Sequence, residues 1–356
     1  MRATLSIFSV FTFTFIFASP ILAQYPQSPK RGLVSVSTLN PQDDYLFVQP
    51  NNGLTWYFNY GLSPTPDYIN LTQSDIEFVP MLWGVSNTTG STFLSNITSI
   101  IANGRNITHV LGFNEPDVNF TARGSQVSPD AAAASWILNF DPLRKMGIKV
   151  GAPVVYADES GFTWLDKFYA ACQSRNSNCT ADFMNIHCFG NISFVQSYLA
   201  EYKQKSVSQA PINIGAEPPS LPISPPRYPG IPLWITEYGL ANSPVLATEA
   251  FFNQSIALFD NDTTVERYSY FGAFRASASN VGWNASMLDG RGKLTNIGSW
   301  YLGGAMVEDA TTTTSTAAAS TSSASTSDAT ELSMGGIEMV GSVVVAAAAA
   351  LGLLLN

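Results

Sequence analysis

Histidine and cysteine are scarce in this chain of 356 residues, which contains two histidines and three cysteines. His109 and His187 lack the spacing to a cysteine that a zinc site requires, so the sequence predicts no metal and no other cofactor. Cys172 and Cys179 lie close together in a polar loop, and in an oxidising compartment they predict a small structural disulfide. Cys188 lies in an apolar run, and we expect it to remain a buried thiol.

Charged residues are also few. They make up 12% of the chain, the formal net charge is −9, and lysine and arginine form no cluster along the sequence. Nucleic acid binding depends on such clusters, so the sequence argues against nucleic acid as a partner. We expect a monomer that acts on a neutral polymer.

The two ends of the chain differ in composition from the middle. Residues 1–23 begin with Arg2, continue as an apolar run and end in Ile21-Leu22-Ala23, the layout of a secretory signal peptide. Residues 309–330 are rich in Ser, Thr and Ala and predict a stalk. Residues 331–356 predict a signal for glycosylphosphatidylinositol attachment that is removed during processing, with a C-terminal transmembrane helix as the alternative. We therefore expect a secreted protein, held to the membrane by a lipid anchor at the cell surface or in the cell wall.

Ten Asn-X-Ser/Thr sequons agree with a secretory route. Chance matches are expected in such a set, and one of the asparagines directly precedes Cys179 of the predicted disulfide. The predicted N-glycosylation sites are Asn70, Asn87, Asn96, Asn106, Asn119, Asn178, Asn191, Asn253, Asn261 and Asn284.

Residues 30–306 predict a single α/β domain. Eight runs rich in Val, Ile, Phe, Tyr and Trp have the composition of parallel strands that are covered on both faces. Helix signals lie between several runs, at 128–147, 162–172 and 193–202, and a long loop with seven prolines occupies 206–230. The alternation predicts a (β/α)8 TIM-like barrel followed by the Ser/Thr-rich tail. The predicted strands are 32–37, 54–60, 77–84, 109–115, 149–155, 182–189, 233–237 and 265–274.

Two of these strands deliver a glutamate at their carboxyl ends. The segment LGFNEPD at Leu111–Asp117 leads into Glu115, and Pro116 prevents further strand pairing. The segment LWITEYG at Leu233–Gly239 leads in the same way to Glu237. Strands four and seven of a barrel end at the same mouth, where two carboxyl groups can cleave a glycosidic bond as acid and nucleophile. The alternative is that the two glutamates are unrelated strand-end charges.

Eight motifs extend this pattern over nearly all of residues 30–302: KRGL (30–33), LTWYFNY (54–60), FVPMLWG (78–84), GFNEPD (112–117), GAPVV (151–155), DFMNIHCFG (182–190), WITEYG (234–239) and GKLTNIGSWY (292–301). In combination they resemble glycoside hydrolase family 128, the endo-β-1,3-glucanases of the glycosyl hydrolase catalytic core. The resemblance implies a retaining reaction on β-1,3-glucan, with Glu115 as the acid/base and Glu237 as the nucleophile.

Further residues near strand ends are candidate contacts to the sugar. Asn114, beside the acid, could bind a sugar hydroxyl, and His187 is expected to donate a hydrogen bond within the site. Aromatic rings can stack on the apolar face of a sugar, with core packing as the alternative for each of them. The candidate substrate-binding residues are Asn114, Trp56, Asn59, Trp83, His187, Phe189, Tyr270 and Trp283.

Two places depart from the family pattern. The chain has His187-Cys188-Phe189 where His-Trp-Tyr is common, and Tyr270 where a tryptophan is usual. A tyrosine hydroxyl missing at Phe189 could remove a hydrogen bond to the ionised nucleophile. These departures leave a non-hydrolytic glucan-binding wall protein as an alternative to the hydrolase. A transglycosidase is a second alternative, because a sugar can replace water in attacking the covalent intermediate.

Overall fold

The computed structural model describes residues 26–36, 39–85, 90–122, 124–207 and 230–307. The predicted signal peptide, the stalk, the attachment signal, the sequon at Asn87 and most of the proline-rich loop lie outside the described residues. Within the ranges just given, no helix has the length and apolar composition needed to cross a membrane.

Eight strands occur in the described part of the chain, each overlapping one predicted run, with β1 beginning one residue earlier and β7 ending two residues later than predicted. Most are shorter than predicted at their carboxyl ends, because the residues there leave the continuous ladder and pair through single bridges or not at all. The strands are β1 (Arg31–Val34), β2 (Trp56–Phe58), β3 (Glu77–Phe78), β4 (His109–Val110), β5 (Lys149–Val150), β6 (Met184–Phe189), β7 (Leu233–Gly239) and β8 (Val265–Tyr270).

All strand pairs are parallel. One sheet has the order β3-β2-β1-β8-β7-β6, and β4 pairs with β5 in a second. Single parallel bridges, Met81 to Leu111 and Gly151 to Phe183, connect the region of β3 to β4 and the region of β5 to β6. The pairing order therefore returns to its starting strand, as in a TIM-like barrel. We call the carboxyl ends of the strands the mouth and the amino ends the base.

In the described ranges, six α-helices follow β3 to β8: α1 (Thr92–Ala102), α2 (Pro129–Lys145), α3 (Glu159–Gln173), α4 (Ile192–Val207), α5 (Val245–Asn261) and α6 (Asn296–Tyr301). The three predicted helix segments are confirmed as α2, α3 and α4. Helix α2 begins where its sequence indicates, because the Ser128 side chain accepts a hydrogen bond from the backbone N–H of Ala131 and a proline occupies the first turn.

A helix after every strand was predicted, and for the first two strands this is wrong. The segments after β1 and β2 contain only the 3-10 helices Pro41–Val48 and Pro66–Tyr68 among their described residues. Both begin at a proline, and the second segment also contains Gly61 and Pro64, which disfavour a longer helix.

The apolar core has two layers. Side chains such as Trp56, Phe183 and Trp234 fill the space enclosed by the strands. A larger outer layer packs strands against helices and includes Trp136 and Phe252. Two cysteine predictions are confirmed, because Cys172 and Cys179 form a disulfide and Cys188 is a buried free thiol.

Candidate active site

Glu115 lies at the mouth with 2% of its surface exposed. Its backbone N–H donates a hydrogen bond of 2.8 Å to the carbonyl oxygen of Val154, so the residue is fixed against the end of the neighbouring β5 segment. Its φ angle is 42°, in the left-handed region that non-glycine residues rarely adopt. Such strained backbone is concentrated at functional positions because only the surrounding structure can maintain it.

Glu237 is positioned by a bulge in β7. In the register with β6, Ile186 pairs with Ile235 and His187 pairs with Glu237, so Thr236 is one extra residue on β7. A bulge of this kind changes the direction in which the following side chain points. It brings the carboxylate of Glu237, which is 0% exposed, opposite the His187 ring.

The imidazole of His187 lies between the two glutamates. Its Nδ1 is 2.9 Å from Oε1 of Glu115, and its Nε2 is 3.3 Å from Oε1 of Glu237. The structure therefore brings Glu115, Glu237 and His187 together, as the sequence predicted for the two strand ends and for His187 in the site.

Tyr60 is a site residue that the sequence analysis missed. Its hydroxyl donates a hydrogen bond of 2.7 Å to Oε1 of Glu237, and its φ angle of 62° is also left-handed. The signal was present, because Tyr60 is the last residue of the LTWYFNY motif. Phe189 has no hydroxyl group to donate to Glu237. Tyr60, in the segment after β2, donates a hydrogen bond to that carboxylate instead.

Burial and mutual charge shift the pKa values of the site. Burial raises the pKa of Glu237 to about 7, against the lowering effect of His187 and with the support of the Glu115 charge. Burial by itself would lower the pKa of His187, but the charges of Glu237 and Glu115 outweigh it and raise that pKa. Burial also raises the pKa of Asp117 to about 6. The site consequently retains protons near neutral pH that isolated carboxyl groups would have lost.

Three buried polar atoms at the site have no hydrogen-bond partner within the described structure: Oδ1 of Asn114, Nε2 of His187 and Oε2 of Glu237. The contact of 3.3 Å from Nε2 of His187 to Glu237 is close enough for charge attraction but does not have hydrogen-bond geometry. Buried polar atoms are usually paired, so unpaired ones grouped at one place indicate where a polar ligand would bind.

Aromatic side chains surround this polar group. A small pocket beside Glu115 and His187 is lined by Phe189, as predicted, and also by Tyr156, Ala157 and Phe194. The predicted Trp83 is half-buried, and its ring centre is 5.9 Å from that of Phe120, which is exposed. The predicted Trp283 is 67% exposed in the segment after β8.

Two of the predicted contact residues are buried away from an incoming sugar. Trp56 is fully buried inside the ring of strands, where it packs on Trp234. Tyr270 is fully buried in the outer layer, against Tyr238 and other rings. Trp56 and Tyr270 are therefore core residues, which was the alternative to sugar binding for each of them. The Asn59 side chain forms local hydrogen bonds to Ser63, Thr65 and Gly61 and holds the segment after β2.

The described residues contain no group of three or more His, Cys, Asp or Glu side chains arranged to hold a metal ion. The chemistry that the geometry offers is that of two carboxyl groups, an imidazole and a phenol. Such a set can move protons and attack an electrophilic carbon.

Comparison with known proteins gives a family match and several relatives. The model of the family described as "Glycosyl hydrolase catalytic core" matches residues 32–215 and 224–301. Alkali-sensitive linkage protein 1 of Schizosaccharomyces pombe is 27% identical over 289 residues, which cover 77% of this chain and 44% of that protein. The chain thus spans less than half of that relative's length.

Solved structures with the same fold include two with different described roles. A GH128 (subgroup II) endo-β-1,3-glucanase from Sorangium cellulosum superposes with a TM-score of 0.58 and 22% identity, over 78% of this chain and 99% of the other. A GH128 (subgroup VII) oligosaccharide-binding protein from Cryptococcus neoformans gives a TM-score of 0.55 and 22% identity, over 78% and 96%. At this identity the likeness shows the fold alone.

Proposed function

Since the chain belongs to the glycosyl hydrolase catalytic core family, we propose that it is a retaining glycoside hydrolase that cleaves β-1,3-glucan with Glu115 and Glu237. The observation that carries this proposal is the arrangement of the two buried carboxyl groups on either side of His187. A binding surface alone would not require two carboxyl groups to be buried together, because burial of like charges is unfavourable. The proposed catalytic domain spans residues 30–306, a TIM-like barrel in which α-helices follow the strands from β3 onward among the described residues.

Each glutamate has one role in the first step. Glu115 donates its proton to the oxygen of the leaving sugar while the ionised Glu237 attacks the anomeric carbon, so a glycosyl–enzyme bond forms as the glycosidic bond breaks. In the second step Glu115 removes a proton from water, the water oxygen attacks the same carbon, and Glu237 is released as a carboxylate.

His187 and Tyr60 help to distribute protons before the first step. Nδ1 of His187 is 2.9 Å from Oε1 of Glu115, and when both ring nitrogens carry a proton, transfer of the Nδ1 proton gives a protonated acid and a neutral imidazole. Tyr60 donates its hydrogen bond to Glu237, which favours the ionised form of that carboxyl group. Tyr60 therefore favours the ionised nucleophile, and His187 is placed to exchange a proton with the acid.

The assignment is tested by replacing each glutamate with alanine and adding azide. With laminarin as substrate, we expect each variant to lose about 10³-fold or more in kcat/KM. The azide reactions use an aryl β-laminaribioside, whose leaving group needs little protonation. In Glu115→Ala, azide can replace water on the glycosyl–enzyme and give a β-glycosyl azide. In Glu237→Ala, azide can replace the nucleophile and give an α-glycosyl azide. Parent-like activity in either variant, or the opposite pair of products, contradicts the assignment.

A glucan-binding protein without activity is the second candidate. The similarity to an oligosaccharide-binding protein of the same fold favours it. The binder would retain insoluble β-1,3-glucan but release no soluble product on long incubation. The hydrolase would release oligosaccharides, and longer products at high oligosaccharide concentration would identify a transglycosidase.

We also propose that the protein acts at the cell surface or in the wall, held by a lipid anchor. The support is the composition of the two chain ends. Release from cells by a phosphatidylinositol-specific phospholipase is the expected result. Retention after that treatment, with release only by detergent, would instead indicate a membrane-spanning helix.

A further inference from the structure

The predicted N-glycosylation sites fall into groups once the strands assign each loop to the mouth or the base. Asn119, Asn191 and Asn284 follow β4, β6 and β8, so they lie at the mouth, and all three side chains are exposed. We call these three the rim sequons. Asn70 and Asn106 precede β3 and β4, so they lie at the base, and they are exposed as well. The two base positions serve as matched controls.

Each rim sequon is next to an aromatic residue of the mouth. Asn119 precedes Phe120, the ring that contacts Trp83. Asn284 follows Trp283, which is 67% exposed. A glycan attached at either position would share the surface on which an incoming sugar chain could stack.

Asn191 is tied directly to the pocket beside Glu115. Its Oδ1 accepts a hydrogen bond of 2.9 Å from the backbone N–H of Phe194, and Phe194 lines that pocket. The Nδ2 of Asn284 donates a hydrogen bond of 2.9 Å to the carbonyl oxygen of Ser243. A glycosylated asparagine keeps its oxygen and one N–H, so both contacts can persist after modification. They would hold the first sugar of the glycan at the rim.

We propose that N-glycans on the rim sequons form a collar that restricts long β-1,3-glucan chains while short oligosaccharides still reach Glu115 and Glu237. This inference rests on the proposed function of the same site. Attachment forms a bond between the asparagine Nδ2 and C1 of a sugar from a lipid-pyrophosphate-linked oligosaccharide. The lipid pyrophosphate leaves, and the amide loses one proton. The glycan is bulky and uncharged, so it acts by volume.

The experiment compares sequon variants of the full chain secreted from a host that N-glycosylates. Ser193→Ala and Ser286→Ala remove two rim sequons without changing Asn191, which keeps its hydrogen bond to Phe194, or Asn284. Thr121→Ala completes the rim set, and Asn70→Gln with Asn106→Gln forms the base set. Mass spectrometry measures occupancy, and kcat/KM is measured on laminaritriose and on long β-1,3-glucan.

The collar predicts occupied rim sequons in the parent protein. It also predicts a several-fold gain in kcat/KM on long glucan for the rim set, no gain on laminaritriose, and no gain on either substrate for the base set. Empty rim sequons beside occupied base sequons would overturn it, and so would equal changes on both substrates.

A protein that hydrolyses neither substrate would refute the proposed function and still test the collar through binding. In that case, the collar predicts tighter binding of the rim set to long glucan and unchanged affinity for laminaritriose. Equal affinities of the rim and base sets for long glucan would overturn the collar.

Discussion

A glutamate and a histidine are paired at each end of the strands, and the two pairs differ in charge balance. At the base, Oε1 of Glu77 is 2.8 Å from Nδ1 of His109, and Oε2 is 2.7 Å from the Arg267 guanidinium. That guanidinium also lies 4.2 Å from the centre of the Trp234 ring. Burial opposes ionisation of Glu77, but these partners outweigh it and lower its pKa to about 2.

At the mouth, by contrast, a glutamate beside a histidine has a raised pKa. His187 is shared by two carboxyl groups, and burial raises the pKa of Glu237 to about 7. A Glu–His contact therefore does not by itself indicate catalysis. Chemistry depends on whether the carboxyl charge is matched by cations, as for Glu77, or left in excess, as for Glu115 and Glu237.

Replacing the glutamate at each end gives the sharpest test of this difference. We expect Glu237→Gln to lose about 10³-fold or more in laminarin hydrolysis without a loss of stability, because it removes both the nucleophile and a charge that burial disfavours. Glu77→Gln should keep its kcat but lose about 2–4 kcal/mol of unfolding free energy, because it leaves the Arg267 guanidinium without a counter-charge and weakens the hydrogen bond to His109. Initial rates and urea unfolding measure the two quantities. A large kcat loss in Glu77→Gln would contradict the division of roles.

The two ends should also respond to pH in opposite ways. The pKa of Glu77 is depressed from 4.5 to about 2, so its stabilisation is present above pH 4.5 and lost as the pH falls from 4.5 to 2, by about 3 kcal/mol. The pKa of Glu237 is raised from 4.5 to about 7, so stability falls as the pH rises through that interval. Glu77→Gln should flatten the acid side of a stability–pH curve, and Glu237→Gln the side from pH 4.5 to 7.

The sequence predicted the position of the strands because most of them belong to runs rich in apolar and aromatic residues, although β8 also contains Glu266 and Arg267. It did not predict the 3-10 helices after β1 and β2. The strand–helix repeat predicted a full α-helix in each of these two segments, and their prolines disfavour one. The order of pairing depends on contacts between residues far apart in the chain, which a pattern of apolar residues does not contain.

Within the site, the sequence identified the glutamates and His187 but not the level of each residue along its strand. Trp56 and Tyr60 both belong to the inner layer, but they are four positions apart, roughly 13 Å along a strand. Trp56 therefore lies near the base and Tyr60 at the mouth. The bulge at Thr236 is equally hidden, because the seven residues of β7 are uniformly buried and show no alternation.

Replacing the histidine at each end should separate a proton-handling role from a structural one. His187→Gln removes the group between the carboxyls, and we expect a loss of about 10²-fold in kcat/KM with a changed pH–rate profile. His109→Gln should retain the parent profile and lose only stability, since Glu77 keeps Arg267. Identical pH–rate profiles for the parent protein and His187→Gln would show that His187 merely fills space.

Tyr60→Phe has the smallest expected effect and tests whether one hydrogen bond favours the ionised Glu237. Loss of that bond should lower kcat/KM about tenfold and move the acidic limb of the pH–rate profile upward, because the pKa of Glu237 rises when a donor to its charged form is removed. Tyr270→Phe is the matched control, since the Tyr270 hydroxyl is buried without a hydrogen-bond partner in the described structure. The control should keep the parent rate and profile. An unmoved acidic limb in Tyr60→Phe would mean that burial, His187 and the Glu115 charge set the pKa of Glu237 without the Tyr60 hydrogen bond.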